Sequence, residues 1–316
     1  MTARPRPTIF HGVLPADAAA RSDALLVARP DLATLTVSGP DRLAWLQGVL
    51  TCNVDGLAEG DGRWGLVLSR QGKILSDVLV VAAPDAVHLG VPLRAAPRVH
   101  AWLSSFLIME DAEIDDRSAD FVWFIAHGPR GGSVAAQLVA RFDGARGAVD
   151  PTGLGGATFL VPRAHQLETE VVARDELGVL VATDEDWLRL RVERLVPLYG
   201  IDVDEQRNPH EASLDRRSIS WDKGCYLGQE AVCMLDMRGK VKRRLVLVAL
   251  EGDVTPGPGT PVSDAAGTVL GETRTAALSS LFGCGLALAL LAEAATVPGT
   301  RLTVGGVSAA VVEPNR

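Results

Sequence analysis

The first thirty positions are polar and broken by prolines, and they read as an arm. Apolar and polar residues then alternate over 32–37, the period of a half-buried strand. Ser38-Gly39-Pro40-Asp41 opens a helix, with Ser38 as N-cap, Pro40 early and Asp41 in the acid-favouring first turn. Leu43, Leu46 and Leu50 continue one apolar face of that helix. Two further strands, 63–68 and 74–82, flank Ser69-Arg70-Gln71-Gly72-Lys73, a hairpin loop with its glycine. A strand over 87–91 and a helix over 95–107 complete the first round. The second round is a strand over 121–127, a helix over 132–142 and a strand over 158–162. A helix over 186–194 follows the acidic run Asp184-Glu185-Asp186.

Residues 199–217 are polar and hold no sustained period, so they read as a long functional crossover. From Gly239 the pattern changes to short apolar runs separated by turns, over 245–250, 255–261, 268–271 and 302–304. That spacing predicts a small β-barrel or sandwich. Within it, residues 275–292 carry no charge and approach the length of a membrane span. Ser279, Ser280, Gly283 and Gly285 interrupt the stretch, which favours a buried strand, a glycine-containing turn and a second buried element. The fold class is therefore α+β, two sheet-plus-helix modules and a C-terminal β-barrel. Its expected domains are 1–50 with 118–238, then 51–117, then 239–316.

Composition narrows the function classes. With 47% hydrophobic residues in 316, the chain can bury several cores. A net charge of -8 argues against nucleic acid as a partner. Cys52, Cys225, Cys233 and Cys284 form no CxxC pair and no zinc-type spacing, so no metal site is expected and reduced thiols are the simpler reading. Residues 1–20 lack the apolar stretch of a signal peptide, because Pro5, Pro7, His11 and Asp17 interrupt it. Together these point to a cytoplasmic protein with no membrane partner.

The densest chemistry lies at Trp221-Asp222-Lys223-Gly224-Cys225-Tyr226-Leu227-Gly228-Gln229-Glu230. Two glycines flank a cysteine, Lys223 precedes it by two positions, and a helix is expected to begin near Gly228. A cation and a helix N-terminus each favour thiolate. The competing reading is a packed small residue among glycines. Asn53 follows Thr51 with no assigned role, and His210 reads as a surface-loop histidine. Trp45, Trp64 and Trp102 read as core. The run Arg238, Lys240, Lys242, Arg243, Arg244 is either a solvated strand edge or an anion site.

The octapeptide K-G-C-Y-L-G-Q-E at 223–230 resembles the signature of the YgfZ family. The resemblance extends along most of the chain. Val37-Ser38-Gly39-Pro40-Asp41-Arg42 through Leu46-Gln47-Gly48-Val49-Leu50-Thr51 is similar to the family's early element, and Gln71-Gly72-Lys73-Ile74 to its hairpin. Arg191-Val192-Glu193, followed by Pro197-Leu198-Tyr199-Gly200, resembles a segment shared with the aminomethyltransferases of glycine cleavage, the T-proteins.

The resemblance implies three lobes around a central folate-binding hole and tetrahydrofolate, or a derivative, as cofactor. It implies an accessory role in synthesis or repair of iron–sulfur enzymes, with iron–sulfur client or assembly proteins as partners. It places Glu193 on the pterin, whose adjacent amino and ring N–H groups one carboxylate can accept together. Without the resemblance, Glu193 reads as a solvated helix residue paired with Arg189 or Arg191. Asp77, Arg191, Tyr199, Tyr226, Gln229 and Glu230 become further cofactor contacts, Arg244 a contact for the glutamyl tail, and Cys225 with Lys223 the reactive pair. Cys225 is left open as redox thiol, transient cluster ligand or nucleophile. The alternative is a T-protein-type one-carbon transferase. Those enzymes carry two adjacent aspartates after the hairpin, where this chain has Ser76 and Asp77. A serine hydroxyl cannot serve as a carboxylate base near neutral pH.

Overall fold

The computed structural model describes residues 12–153, 155–239 and 241–315. Most of the stretch read against a signal peptide, and Lys240 of the basic run, lie outside the described residues. The chain divides into two compact units. One takes Ala19–Ala182 and Leu214–Cys233; the other takes the chain up to Ala18, then Thr183–Ser213, then Met234 onward.

The chain begins with α1 (Pro15–Ser22), β1 (Leu25–Arg29), β2 (Leu32–Ser38), α2 (Arg42–Val49), β3 (Gly62–Leu68), β4 (Ile74–Ala82) and β5 (Ala86–Pro92). It continues with α3 (Ala96–Ser104), β6 (Glu113–Asp116), β7 (Phe121–His127), α4 (Gly131–Arg141), β8 (Arg146–Val149), β9 (Ala157–Pro162), α5 (Gln166–Val171) and β10 (Leu180–Val181). These strands make two five-stranded sheets, β10-β1-β7-β9-β8 and β3-β4-β5-β2-β6. In the first, Leu26, Phe124, Phe159 and Val161 form one face on which Val134 and Leu138 of α4 pack. Phe124 and Phe159 stack there with ring centroids 5.4 Å apart, adding to the area they bury.

The residues read as an arm contain α1 and β1, and β1 pairs with β7 and β10 inside the first sheet. Its sequence, Leu-Leu-Val-Ala-Arg, is buried at four of five positions, so its apolar run lacks the alternation that marks a half-exposed strand. The helix expected from Ser38 begins later. Ser38 ends β2, Gly39 turns the chain with φ +96°, and Asp41 is the N-cap of α2 without a side-chain bond to it. A Cβ at Gly39 would stand 2.4 Å from the Asp111 carbonyl, which explains glycine at this turn. The apolar face of α2 is Trp45, Leu46 and Val49. Trp64 is also buried and Trp102 half-buried. The helix expected over 95–107 is shorter, Ala96–Ser104.

The other unit holds α6 (Asp184–Glu193) and the strands that follow α7 (Gln229–Arg238), itself shared in sequence by both units. The strands are β11 (Arg243–Leu250), β12 (Pro261–Ser263), β13 (Val269–Ser279), β14 (Cys284–Ala292), β15 (Arg301–Val304) and β16 (Val307–Val312). They close a barrel in the order β11-β14-β13-β12-β15-β16, filled by Val246, Val248, Leu250, Ala289, Leu291 and Val311 among others. Residues 254–260 are not strand, against the expectation, and β13 is far longer than the expected 268–271. The uncharged stretch from Thr275 is the end of β13, a turn and β14. Among the described residues no helix is long and apolar enough to cross a membrane.

Candidate functional site

Helix α6 is built from both ends. Thr183 caps it, with its hydroxyl accepting from Asp186 N at 3.2 Å while Asp186 accepts from Thr183 N at 3.0 Å. The acidic run therefore forms the first turn rather than preceding the helix. At the far end, Arg191 is buried and donates to Asp202 at 2.7 Å and to Thr275 of β13 at 3.0 Å. Asp202 also accepts from Leu198 N at 2.8 Å and from the Thr275 hydroxyl at 2.5 Å. Every charge in this network is matched, so Arg191 ties α6 to the barrel strand and to the turn that carries Tyr199. Tyr199 is buried and its hydroxyl donates to Glu205 at 3.3 Å.

Glu193, the last residue of α6, is buried to 1% exposure. It is not the solvated helix residue of the alternative reading. Arg189 is engaged elsewhere, with Asp17 at 3.1 Å and Asp186 at 2.6 Å, and Arg191 with Asp202. The partner of Glu193 is Ser279 at the end of β13, whose hydroxyl donates to Oε1 at 2.5 Å. Oε2 is buried with no hydrogen-bond partner. Burial pushes the carboxyl up to about 7, helped by Asp17 and opposed by the Ser279 hydrogen bond, Arg189 and Arg194. A buried, half-satisfied carboxyl with one unpartnered oxygen has unused hydrogen-bonding capacity. Asp17 and the Ser280 hydroxyl, a second close pair, wall the same corner, and Leu14 N donates to Ser280 at 3.0 Å. The sequence offered no sign of Asp17, Ser279 or Ser280 here, because their contacts join positions more than eighty residues apart.

The cysteine motif lies in the other unit. Lys223 donates to the carbonyls of Gln47, Leu50 and Cys52 at 2.8, 2.7 and 2.9 Å. Leu227 N donates to the Gly48 carbonyl at 3.0 Å. The Gln47, Gly48 and Leu50 carbonyls are acceptors at the C-terminus of α2, where a cation is favoured, and Cys52 lies just beyond. Burial lowers Lys223 to about 8 and raises Cys52, close to that ammonium, to about 11. The three protons of Lys223 are thus directed at backbone rather than at the Cys225 thiol. Cys225 itself is exposed.

Tyr226 is buried, with its ring 5.3 Å from the Lys223 ammonium and its hydroxyl shielded without a partner. Gln229 accepts from Tyr226 N at 3.2 Å and opens α7, and Glu230 is exposed. Gly228 (φ +83°) lies against the hairpin loop: a Cβ there would be 2.5 Å from the Ser69 carbonyl and 3.3 Å from Gly72 Cα. Gly72 (φ +71°) in turn lies against Ala231. The structure thus brings the Gln71-Gly72-Lys73 loop and the cysteine motif together, a pairing the sequence did not announce.

On β4, Ser76 is buried and its hydroxyl donates to the Asp77 carbonyl at 2.7 Å. Asp77 is half-buried, but its Oδ1 is shielded and unpartnered while Oδ2 accepts from Trp64 at 3.4 Å. Burial raises its carboxyl, with the Arg29 guanidinium opposing. Thr51 and Asn53 serve the scaffold: the Thr51 hydroxyl donates to Ser218 O at 2.5 Å, and Asn53 accepts from Gln47 at 2.8 Å. Arg244 is half-buried beside Glu293 at 3.4 Å, while Arg238, Lys242 and Arg243 are exposed. His210 is buried, with Asp236 at 3.5 Å, rather than exposed on a surface loop.

Residues 5–151 match the GCVT N-terminal domain, and residues 242–316 match the CAF17 C-terminal beta-barrel domain. Glu193 and Cys225 fall between the two matched ranges. An aminomethyltransferase of Herpetosiphon aurantiacus is 27% identical over 94% of this chain and 87% of its own length. One of Streptomyces coelicolor is 28% identical over 89% and 82%. The crystal structure of the glycine cleavage system aminomethyltransferase T from Bartonella henselae superposes with a TM-score of 0.79, at 18% identity, over 95% of this chain and 90% of that one. The chain therefore has the mixed α+β T-protein fold and ends in a CAF17-type barrel.

Because burial keeps a proton on Glu193, the stability of the fold depends on pH. Between about 4.5 and about 7 the folded protein holds a proton that the unfolded chain has released. The associated stability is fully present below this window and is lost as pH rises through 7. The expected loss is up to about 3 kcal/mol, and Glu193→Gln should remove it. Urea unfolding at pH 4.5 and pH 8 measures the difference; an equal pH dependence in both proteins would place the proton elsewhere.

Proposed function

We propose that this chain binds tetrahydrofolate, or a derivative of it, through Glu193, and acts as an accessory factor in the synthesis or repair of iron–sulfur enzymes with Cys225 as its reactive group. The observation that carries the folate half is the Glu193 carboxylate, buried, fixed through Oε1 and open at Oε2. Its open edge suits the 2-amino and ring N–H groups of a pterin, two donors side by side. Ionised, the carboxylate would regain from those donors the hydrogen bonds that burial denies it. The relatives' name, aminomethyltransferase, and the resemblance to folate-dependent T-proteins support the same ligand.

The accessory half rests on the K-G-C-Y-L-G-Q-E resemblance and on how the motif is used. Lys223, Leu227 and Gly228 anchor the loop, and the thiol of Cys225 is exposed. An exposed thiol on a fixed loop suits contact with a client protein, a cluster as cargo, or a second thiol.

One observation favours a second reading, a folate-dependent aminomethyl or one-carbon transferase. Asp77 keeps a shielded carboxyl oxygen without a partner, as a proton-handling carboxylate would. Against it, Ser76 replaces the first aspartate of the T-protein pair, and its hydroxyl is spent on backbone.

Calorimetry with tetrahydrofolate should show binding that weakens at least tenfold in Glu193→Ala; an unchanged affinity removes Glu193 from the site. In cells lacking the protein, the activity of a [4Fe–4S] enzyme should be restored by the wild-type chain and not by Cys225→Ala. Full rescue by the variant would dismiss the thiol. Methylene-tetrahydrofolate formation from an aminomethyl donor should be absent, and turnover abolished by Asp77→Asn would establish the transferase instead.

A further inference from the structure

The turn that joins β13 to β14 is closed twice by one residue. Gly283 N donates to the Ser279 carbonyl at 3.0 Å, and Phe282 N donates to the Ser279 hydroxyl oxygen, also at 3.0 Å. An amide N–H can only donate, so the oxygen is an acceptor in that bond. The hydroxyl has a single proton, and Ser279 is fully buried. Among the described residues, the acceptor within hydrogen-bond distance is Oε1 of Glu193 at 2.5 Å, so the proton points there. The direction of the bond is thereby fixed by the turn and not by the carboxyl group.

We propose that Ser279 is the positioning residue of the Glu193 site: it claims one lone pair of Oε1, holds the carboxyl plane, and reserves Oε2 with the remaining lone pair of Oε1 for a ligand edge that presents two adjacent N–H donors. This rests on the folate reading above and sharpens it into a rule of selection. With the Ser279 proton on Oε1, an acid proton on Glu193 must sit on Oε2, the open oxygen. The protonated site then offers one donor and one acceptor, and the ionised site offers acceptors only. A donor–donor edge such as that of a pterin matches only the ionised form. Ligand affinity should therefore rise with pH up to the free carboxyl midpoint and level off above it.

The other charged groups facing Glu193 are Asp17 of α1, Arg189 of α6 and Arg194 just beyond that helix. Asp17 raises the carboxyl and the two arginines lower it, and none of them fixes which oxygen carries the proton. From the C-terminal stretch, Asn315 N donates to the Glu193 backbone carbonyl at 2.9 Å.

Two measurements test the assignment in the full chain. In the free protein, carbon-13 labelling of glutamate carboxyls gives a Glu193 titration, identified by its disappearance in Glu193→Gln. Ser279→Ala removes the donated hydrogen bond and should move the midpoint upward from about 7. Ser279→Cys, close in size but a weak donor, should move it in the same direction and guards against a cavity artefact. Tetrahydrofolate affinity measured between pH 6 and pH 9 should then level off at a correspondingly higher pH in both variants and fall about tenfold at pH 7.5. A purely structural serine would lower the melting temperature and leave both midpoints in place, which overturns the proposal. If wild-type protein binds no tetrahydrofolate while the free-carboxyl midpoint still shifts, the folate reading fails and the Ser279 assignment stands. If binding is normal and the midpoint does not move, the reverse holds.

Discussion

Asp202 and the guanidinium of Arg191 form an ion pair that is almost wholly removed from water, and the unit containing the barrel depends on it. A buried charge must be matched by both charge and hydrogen bonds, and removing one partner typically costs about 3–5 kcal/mol. Here the match draws on four pieces of chain: α6, the 198–202 turn, Thr275 of β13 and the Val196 carbonyl. That constraint fixes the last turn of α6 against β13. Glu193 lies two residues after Arg191, at the end of α6, and its carboxyl meets Ser279 at the end of the same strand.

The unit with the two sheets shows a different division of labour. Lys223 reads from sequence as an activator of the nearby thiol. In the structure its ammonium caps the C-terminal end of α2, gathering the Gln47 and Leu50 carbonyls together with that of Cys52 just beyond the helix. Tyr226 lies over the same ammonium. Most of the octapeptide is therefore occupied in packing: Lys223 and Leu227 bond the end of α2, Tyr226 is buried and Gly228 lies against the hairpin loop, while Cys225 is exposed.

Strand runs were legible for β2, β4 and β7, which stand within a residue or two of the positions their alternation or apolar run marks. The arm was misread because α1 is short and alanine-rich, and β1 has two buried faces. Barrel strands were foreseen in kind and not in length, since polar Thr273 and Arg274 lie inside β13. Glu193 and Cys225 were singled out through their motif neighbours. The contacts of Glu193 and of Lys223 were not legible, because Asp17, Ser279 and the carbonyls at and after the end of α2 reach them only through tertiary folding. His210 shows the same limit: nothing local in its sequence distinguishes a buried loop histidine from a wet one.

The contact of Gly72 with Gly228 carries a consequence for how such chains diverge. Each glycine has a backbone that L side chains rarely adopt, and each occupies space that the other loop would need. Neither loop can gain a side chain at that point unless its neighbour retreats. The hairpin and the cysteine loop are thus one discontinuous motif, and change in either is tolerated only as a correlated change. A remote homologue would be better recognised by the joint presence of the two than by the cysteine segment alone.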